Sequence, residues 1–395
     1  MDFSLSPEQR LLVETARKFV ASDLMPLEDE VESARALDPA KARAIFQRSK
    51  ALGLYAVNIP TELGGGGLSA LDTCLAEEQF GHTTDILIRR AFGNVYEVLL
   101  LANDRQRQIW LLPCVRGERT FSVAFTEPGA GSDAAGIKTR AVRHGAGWRL
   151  SGQKIFVSDA MFSDFFVVSA VTDPGAGAQD GNTMRISLFI VDKGLPGFTL
   201  GRDQPMMGLA GTSHMELFFD NVALGPEHLL GEEGRGLSHA FATLGRIRLA
   251  HIGARAVGRA TRILKLMTDH AGERRQFGQA LGEFQMVQQM LADSAIEINA
   301  ARLLVLHAAH DIDQGRDARE RISMVKVYAA EMLGRVADRA VQVFGGSGFA
   351  KGLPIERFYR DARVFRIFDG TSEIHRAVVA RALLKHGSAR FADIL

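Results

Sequence analysis

Asp369 lies in Phe368-Asp369-Gly370-Thr371-Ser372-Glu373, a short break between two helical patterns. That stretch is one of three segments whose residue types could carry chemistry. An Asp before Gly is usually a turn or cap residue. A second segment, Thr126-Glu127-Pro128-Gly129-Ala130-Gly131-Ser132-Asp133, follows a strand pattern. Its glycines allow backbone N–H groups close to a ligand, and its hydroxyls add donors; a polar turn would have the same composition. It is no Rossmann fingerprint, because the third glycine and the following helical pattern are missing. The third segment, Gln342-Val343-Phe344-Gly345-Gly346-Ser347-Gly348-Phe349, ends a helical pattern. It lacks the Lys-Ser/Thr of a P-loop, and a glycine cap is its simplest use. His307 and His310 are spaced i, i+3. With only two histidines, no metal site is expected there. His214 and His251 read as packing or surface residues. No Gly-x-Ser-x-Gly elbow appears, which disfavours a hydrolase of that class.

The elements that must position these segments fall into three stretches. Residues 1–120 read as helices. Ser6-Pro7-Glu8-Gln9 is a capping box with Pro at N1, followed by the apolar stripe Leu11, Leu12, Ala16, Phe19 and Val20. Ser69 and Asp72 open another helix, and a further one runs from after Asn103 to near Gly117. Residues 121–235 change texture. Phe121, Val123 and Phe125 alternate as a strand does, and His144-Gly145-Ala146-Gly147 reads as a hairpin loop. Phe165 to Val171, Ile186 to Val191 and Met215 to Phe219 read as strands, with a Pro/Gly-rich loop over Pro174 to Gly181. Over residues 236–395 the period returns to 3.6, with long patterns from Gly236 to His270, Gly282 to Asp313 and Arg321 to Phe344. In the last, Val325, Ala329, Met332, Val336 and Val343 share a face. Short glycine-containing breaks between such helices predict an antiparallel bundle.

Composition limits the remaining choices. The chain has 395 residues, 46% apolar and 24% charged, with 47 Lys+Arg against 46 Asp+Glu. That apolar content excludes disorder as the main state, and the balanced charge argues against a nucleic-acid binder. Two cysteines, Cys74 and Cys114, cannot build a disulfide framework. The charged start carries no secretory h-region, and no apolar run approaches the roughly 18 residues of a membrane span. A cytoplasmic protein is the expectation.

Taken together and in order, these segments resemble the acyl-CoA dehydrogenase family of flavoproteins. Ala124 to Asp133 is similar to its first signature. Gln342 to Phe349, continuing to Tyr359-Arg360-Asp361-Ala362-Arg363, is similar to its second. Arg274-Arg275-Gln276-Phe277-Gly278 with Gln285, and Asp369-Gly370-Thr371, also stand at family positions. The resemblance implies an α+β, mostly α fold: a helical domain, a β-barrel-like domain and a C-terminal four-helix bundle. It implies FAD, an acyl-CoA substrate, an electron-transfer flavoprotein or other acceptor, and a homotetramer, with a dimer as the alternative. On this resemblance Phe125, Thr126, Gly131 and Ser132 contact flavin and pyrophosphate, and Phe156 and Ser158 lie beside the ring. Arg274, Phe277 and Gln285 reach a neighbouring subunit's FAD. Gln342, Gly345 and Gly346 match another part of the dinucleotide site, and Thr371 and Glu373 lie near FAD. Asp369 matches the catalytic base. Ser132, Phe368 and Gly370 are substrate-binding candidates.

The sequence departs from the family in places. Asp369 stands where most members have Glu, which shortens its reach by about 1.5 Å. Some branches carry an alternative base on the helix after the β domain, but Gly236 to Leu264 contains no Asp or Glu. Arg246 and Arg248 are there instead, as candidates to steady the carboxylate or bind substrate, or as ordinary interhelix charges. Phe156 replaces a frequent Trp, and Gly352 an acidic residue. The leading expectation is α,β-dehydrogenation of an acyl-CoA to the 2-enoyl-CoA. A nitroalkane-oxidase-like flavoprotein using the same Asp, or a non-catalytic acyl-CoA binder, are the alternatives.

Overall fold

The computed structural model describes residues 4–93, 95–173 and 185–388, and it has the helix–sheet–helix order expected. The first helices are α1 Pro7–Phe19, α2 Glu28–Ala34, α3 Pro39–Ala51, α4 Ala70–Phe80, α5 Asp85–Phe92, α6 Asp104–Gln106 and α7 Leu112–Arg116. α1 begins with the predicted capping box: the Gln9 N–H donates to Ser6 Oγ at 3.2 Å, and the Ser6 N–H donates to Gln9 Oε1 at 3.0 Å. Ser69 caps α4 through the Asp72 N–H, and Gly117, with φ 74°, ends α7.

The strands are β1 Phe121–Ala124, β2 Arg140–His144, β3 Gly147–Ser158, β4 Phe165–Asp173, β5 Arg185–Asp192, β6 Phe198–Asp203, β7 His214–Leu224 and β8 Leu229–Leu230. They form one eight-stranded sheet, ordered β6-β7-β3-β2-β4-β5-β8, with β1 parallel to β4. β2 and β3 make the predicted hairpin, pairing His144 with Gly147. β4 and β5 are apolar almost throughout because both of their faces are covered. Phe165, Val167, Leu188 and Ile190 pack with Val98, Trp110 and Leu111 of the helical layer. Phe166, Val168, Phe189 and Val191 face the opposite core with Trp148, Leu217 and Val222. The loop expected over Pro174 to Gly181 lies outside the described residues.

The last helices are α8 Gly236–Ile247, α9 Arg255–Glu273, α10 Gln285–Asp313, α11 Arg319–Phe344, α12 Gly346–Phe349, α13 Pro354–Val364 and α14 Ser372–His386. A π-helical stretch, Arg248–Ala254, joins α8 to α9 without a break, as the unbroken pattern to His270 required. The core is built on Val257, Ile263, Met267, Ile298, Val305 and the predicted α11 face, all buried. No helix among the described residues is long and apolar enough to cross a membrane.

One face of α9 is cationic rather than apolar, and it meets the end of α4. Arg255 donates to Glu77 at 2.5 and 2.9 Å, and the Arg259 Nη2 donates to the Thr83 carbonyl at 2.5 Å. Arg262 pairs with Glu28 at 2.5 and 2.9 Å. Spacings of four and three residues put these three guanidiniums on one side of the helix. Burial alone would raise Glu77, but Arg255 and His251 outweigh it and hold the carboxyl at about 2. Gly258 permits the approach: a Cβ there would stand 1.8 Å from the Glu78 carbonyl oxygen.

Candidate active site

Asp369 sits between α13 and α14 with φ 53°, in the left-handed region that Asp tolerates better than most residues. Its carbonyl accepts from Arg248 Nε at 2.8 Å and lies 3.1 Å from His375 Nε2. His375 Nδ1 lies 3.1 Å from Ser323 Oγ on α11. These contacts suit the neutral ring with its proton on Nε2. Burial, followed by Arg248 and Lys326, pushes His375 down to about 4 despite its bond to the Asp369 carbonyl. Lys326 is fully buried and donates to the Phe365 carbonyl at 2.6 Å. Burial lowers it to about 8 against the opposing pull of Asp369. The Asp369 backbone is thus fixed from two sides, while its carboxylate accepts no hydrogen bond among the described residues. Arg248 therefore steadies the backbone of the candidate base, not its carboxylate. Gly370, with φ 93°, is required beside it, since a Cβ would come within 2.8 Å of His375 Nε2. Thr371 caps α14 through the Ile374 N–H, and Glu373 is exposed in its first turn.

The segment after β1 lines a second region. Phe125, Thr126, Ala130 and Gly131 face Ser169 of β4 and Leu237 and Phe241 of α8 across a cleft. The loop is tied by reciprocal backbone bonds between Glu127 and Ala130, at 3.0 and 3.1 Å. Beneath it Lys154, fully buried on β3, donates to Glu127 at 2.8 Å, the Phe125 carbonyl at 3.1 Å and Ser169 Oγ at 3.1 Å. Glu127 also accepts from the N–H groups of Lys138 at 2.6 Å and Thr139 at 3.0 Å. Burial lowers Lys154 to about 8 despite Glu127. Lys154 and Glu127 thereby hold the loop from below. Gly131 faces open space, and no hydrogen bond among the described residues uses the Gly131 or Ser132 N–H. Free donors, the Thr126 hydroxyl and the rings of Phe125 and Phe241 fit an anionic group joined to a flat aromatic one.

Phe156 interrupts β3 with φ 58°, at a bulge in the pairing with β7 between Lys154 and Val157. Its ring is half exposed, and Ser158, whose carbonyl accepts from Ser122, follows two residues on. A bulge re-aims a side chain, and a positive φ on an aromatic residue is a strained conformation of the kind found at functional sites.

The remaining predicted residues gather elsewhere. The His270 and Phe344 rings stack at 4.1 Å, which joins the end of α9 to the end of α11. Arg274, Phe277 and Gln285 follow the first of these, and Gln342, Gly345 and Gly346 surround the second; all six are exposed. Phe277 has φ 52° and is 94% exposed. Gly345, with φ 59°, caps α11 as the plain reading allowed. None of these six lines the cleft beside Phe125. Arg246 is exposed and lines a cleft with Asn58 and Glu97, and Asp369 is not among the residues lining it. His251 packs against Phe92 and Tyr96, as the packing reading expects, and its Nε2 also stands 3.0 Å from the buried Glu77. Among the described residues no group of three or more His, Cys, Asp or Glu is arranged to hold a metal.

Sequence reasoning missed Lys154, Lys326, Ser323 and His375. Each acts through a partner distant in the chain or through a backbone carbonyl, and neither leaves a local spacing to read.

Three family models match along the chain: acyl-CoA dehydrogenase, N-terminal domain, over residues 6–118; middle domain, over 122–222; and C-terminal domain, over 234–384. An (R)-benzylsuccinyl-CoA dehydrogenase of Thauera aromatica is 35% identical over 98% of this chain and 98% of its own. An acryloyl-CoA reductase (NADH) of Anaerotignum propionicum is 34% identical over 98% of this chain and 96% of its own. The butyryl-CoA dehydrogenase structure from Megasphaera elsdenii superposes with a TM-score of 0.88 at 31% identity, covering 97% of this chain and all of that one. With all three domain models present in order, the chain belongs to the acyl-CoA dehydrogenase family.

Proposed function

We propose that this chain binds FAD and oxidises an acyl-CoA thioester between Cα and Cβ to the 2-enoyl-CoA, with Asp369 as the base. The observation that carries the reading is the Asp369 setting: a backbone fixed by Arg248 and His375, and a carboxylate free to accept a proton. FAD, when bound, supplies the acceptor for the β-hydride. The chain's own residues do the rest. Asp369 takes the α-proton as that C–H bond breaks, and its electron pair becomes the new double bond as hydride leaves Cβ. Arg248 holds the Asp369 carbonyl, and Lys326 holds the Phe365 carbonyl a few residues before it. Phe125, Thr126, Gly131 and Ser132 would hold the flavin and its pyrophosphate, and Phe156 and Ser158 would flank the ring.

The exposed residues at the bundle end complete the reading. Arg274, Phe277, Gln285, Gln342, Gly345 and Gly346 would serve the FAD of a second copy in a homotetramer. Met286, Phe349 and Leu384 are also largely exposed, as a surface awaiting another subunit would be. Electrons would pass to an electron-transfer flavoprotein or another acceptor.

The test is anaerobic titration with straight, branched, cyclic and aromatic acyl-CoA thioesters, following the oxidised-flavin absorbance. One class should bleach it. Asp369→Asn should keep the flavin and slow bleaching by 10²- to 10⁴-fold, about the contribution of a positioned base. Bleaching of that variant at the normal rate would remove Asp369 from its role. The reductase relative supports a second reading, in which the same residues run in reverse. Reoxidation of the reduced protein by 2-enoyl-CoA, without bleaching by acyl-CoA, would favour it.

A further inference from the structure

The π-helical stretch presents two sides. Arg248 turns to the Asp369 carbonyl, while its chain neighbours Ile247 and Leu249 line another cleft with Asn58, Phe92, Glu97 and Arg246. The residue that holds the candidate base and two residues that line the cleft therefore sit on one helical turn. The cleft has apolar walls but polar, unsatisfied contents. Asn58 is 8% exposed; its Nδ2 donates to the Val95 carbonyl at 2.9 Å, and its Oδ1 is buried without a partner. Glu97 is also 8% exposed, and among the described residues its carboxylate makes no hydrogen bond or ion pair. Arg246 is unpaired among the described residues too. Folded chains satisfy nearly all buried acceptors, so the Asn58 oxygen asks for a donor from outside, and the Glu97 carboxylate beside it has no partner among the described residues.

We propose that this cleft receives the far end of the acyl group and selects acyl groups that carry a hydroxyl there. The inference rests on the acyl-CoA reading above. The ligand O–H donates to Asn58 Oδ1 or the Glu97 carboxylate, and its oxygen accepts from Arg246. Phe92, Ile247 and Leu249 cover the carbon chain. An alkyl end would leave both acceptors unpaired. A carboxylate end would place like charge against Glu97. Sites built to bond a substrate hydroxyl discriminate strongly against analogues that lack it.

The experiment compares kcat/KM of the FAD-loaded enzyme, with an artificial acceptor, for acyl-CoA thioesters of matched length ending in methyl, hydroxyl or carboxylate. The hydroxylated thioester should lead the methyl one by at least about tenfold. Asn58→Leu and Glu97→Gln should each pull that ratio toward one. Asn58 also anchors the Val95 carbonyl, so the near-isosteric Glu97→Gln decides the matter if the first variant fails to fold. Equal rates for methyl and hydroxyl ends, a preference for carboxylate, or a ratio unchanged in Glu97→Gln would overturn the inference and leave the dehydrogenase reading standing. If no thioester of any kind bleaches the folded, flavin-loaded protein, the dehydrogenase reading fails and takes this inference with it.

Discussion

Replacing Lys154 by Met should loosen the loop after β1 more than any change made within that loop. The ammonium is fully buried and serves three acceptors: Glu127 at 2.8 Å, and the Phe125 carbonyl and Ser169 Oγ, both at 3.1 Å. Methionine fills the space and supplies no donor. Glu127 keeps its bonds from the Lys138 and Thr139 N–H groups but remains a charge in an uncharged setting. Breaking a buried pair from one side costs about 3–5 kcal/mol. Removing both charges, as in Lys154→Met with Glu127→Gln, leaves two neutral acceptors short and should cost about 1–3 kcal/mol. The two substitutions should therefore be coupled by about 2 kcal/mol or more in a double-mutant cycle. Urea unfolding of the four proteins measures the stability. Flavin fluorescence on dilution measures retention, and it should fall in Lys154→Met and recover partly in the double variant. Additive costs, or a loss below about 1 kcal/mol for Lys154→Met, would refute a charge pair holding this loop.

Other expectations follow from the same geometry. Gly370→Ala places a methyl 2.8 Å from His375 Nε2 at a φ of 93°, so flavin bleaching should slow more than about tenfold with the flavin retained; wild-type rates would show that the carbonyl contacts do not position Asp369. Gly258→Ala drives a methyl into the Glu78 carbonyl, and urea unfolding should show a loss of about 1–3 kcal/mol or more; an unchanged midpoint would mean that α4 and α9 can separate freely. His375 is held near 4 by burial, so between its unfolded value of about 6.5 and pH 4 the unfolded chain binds more protons. Its stabilisation is complete above about 6.5 and is lost as pH falls toward 4. His375→Gln should show a flatter decline over that window, and parallel declines would contradict it.

Much of this fold was legible because its signals are local. Ser6 and Ser69 cap where their spacing said they should, and the α11 stripe is the bundle core. Those features depend only on residues within a few turns of one another. Gly345 illustrates a residue with two valid readings, since it both caps α11 and stands at a predicted cofactor position. The site's supports were less legible. A lysine within β3 gives no sign by itself that Glu127 waits 27 residues earlier. Asp369 was singled out by the resemblance of its segment to the family, and its fixing by Arg248 goes through a carbonyl, which every residue type has. No local spacing marks the arginines of α9. Their burial against Glu28, Glu77 and Thr83 depends on tertiary contact alone.

That arginine face has a consequence for recombination. A chimaera that takes its first helices from one relative and its last from another would cut between Arg255, Arg259 and Arg262 and their acceptors. Unless the donor supplied carboxylates at the matching places and a small residue opposite Gly258, three desolvated cations would face the wrong surface. The boundaries where the chain changes texture are thus poor crossover points. Productive exchange would keep α2, α4 and α9 together as an inherited set and vary the sheet between them.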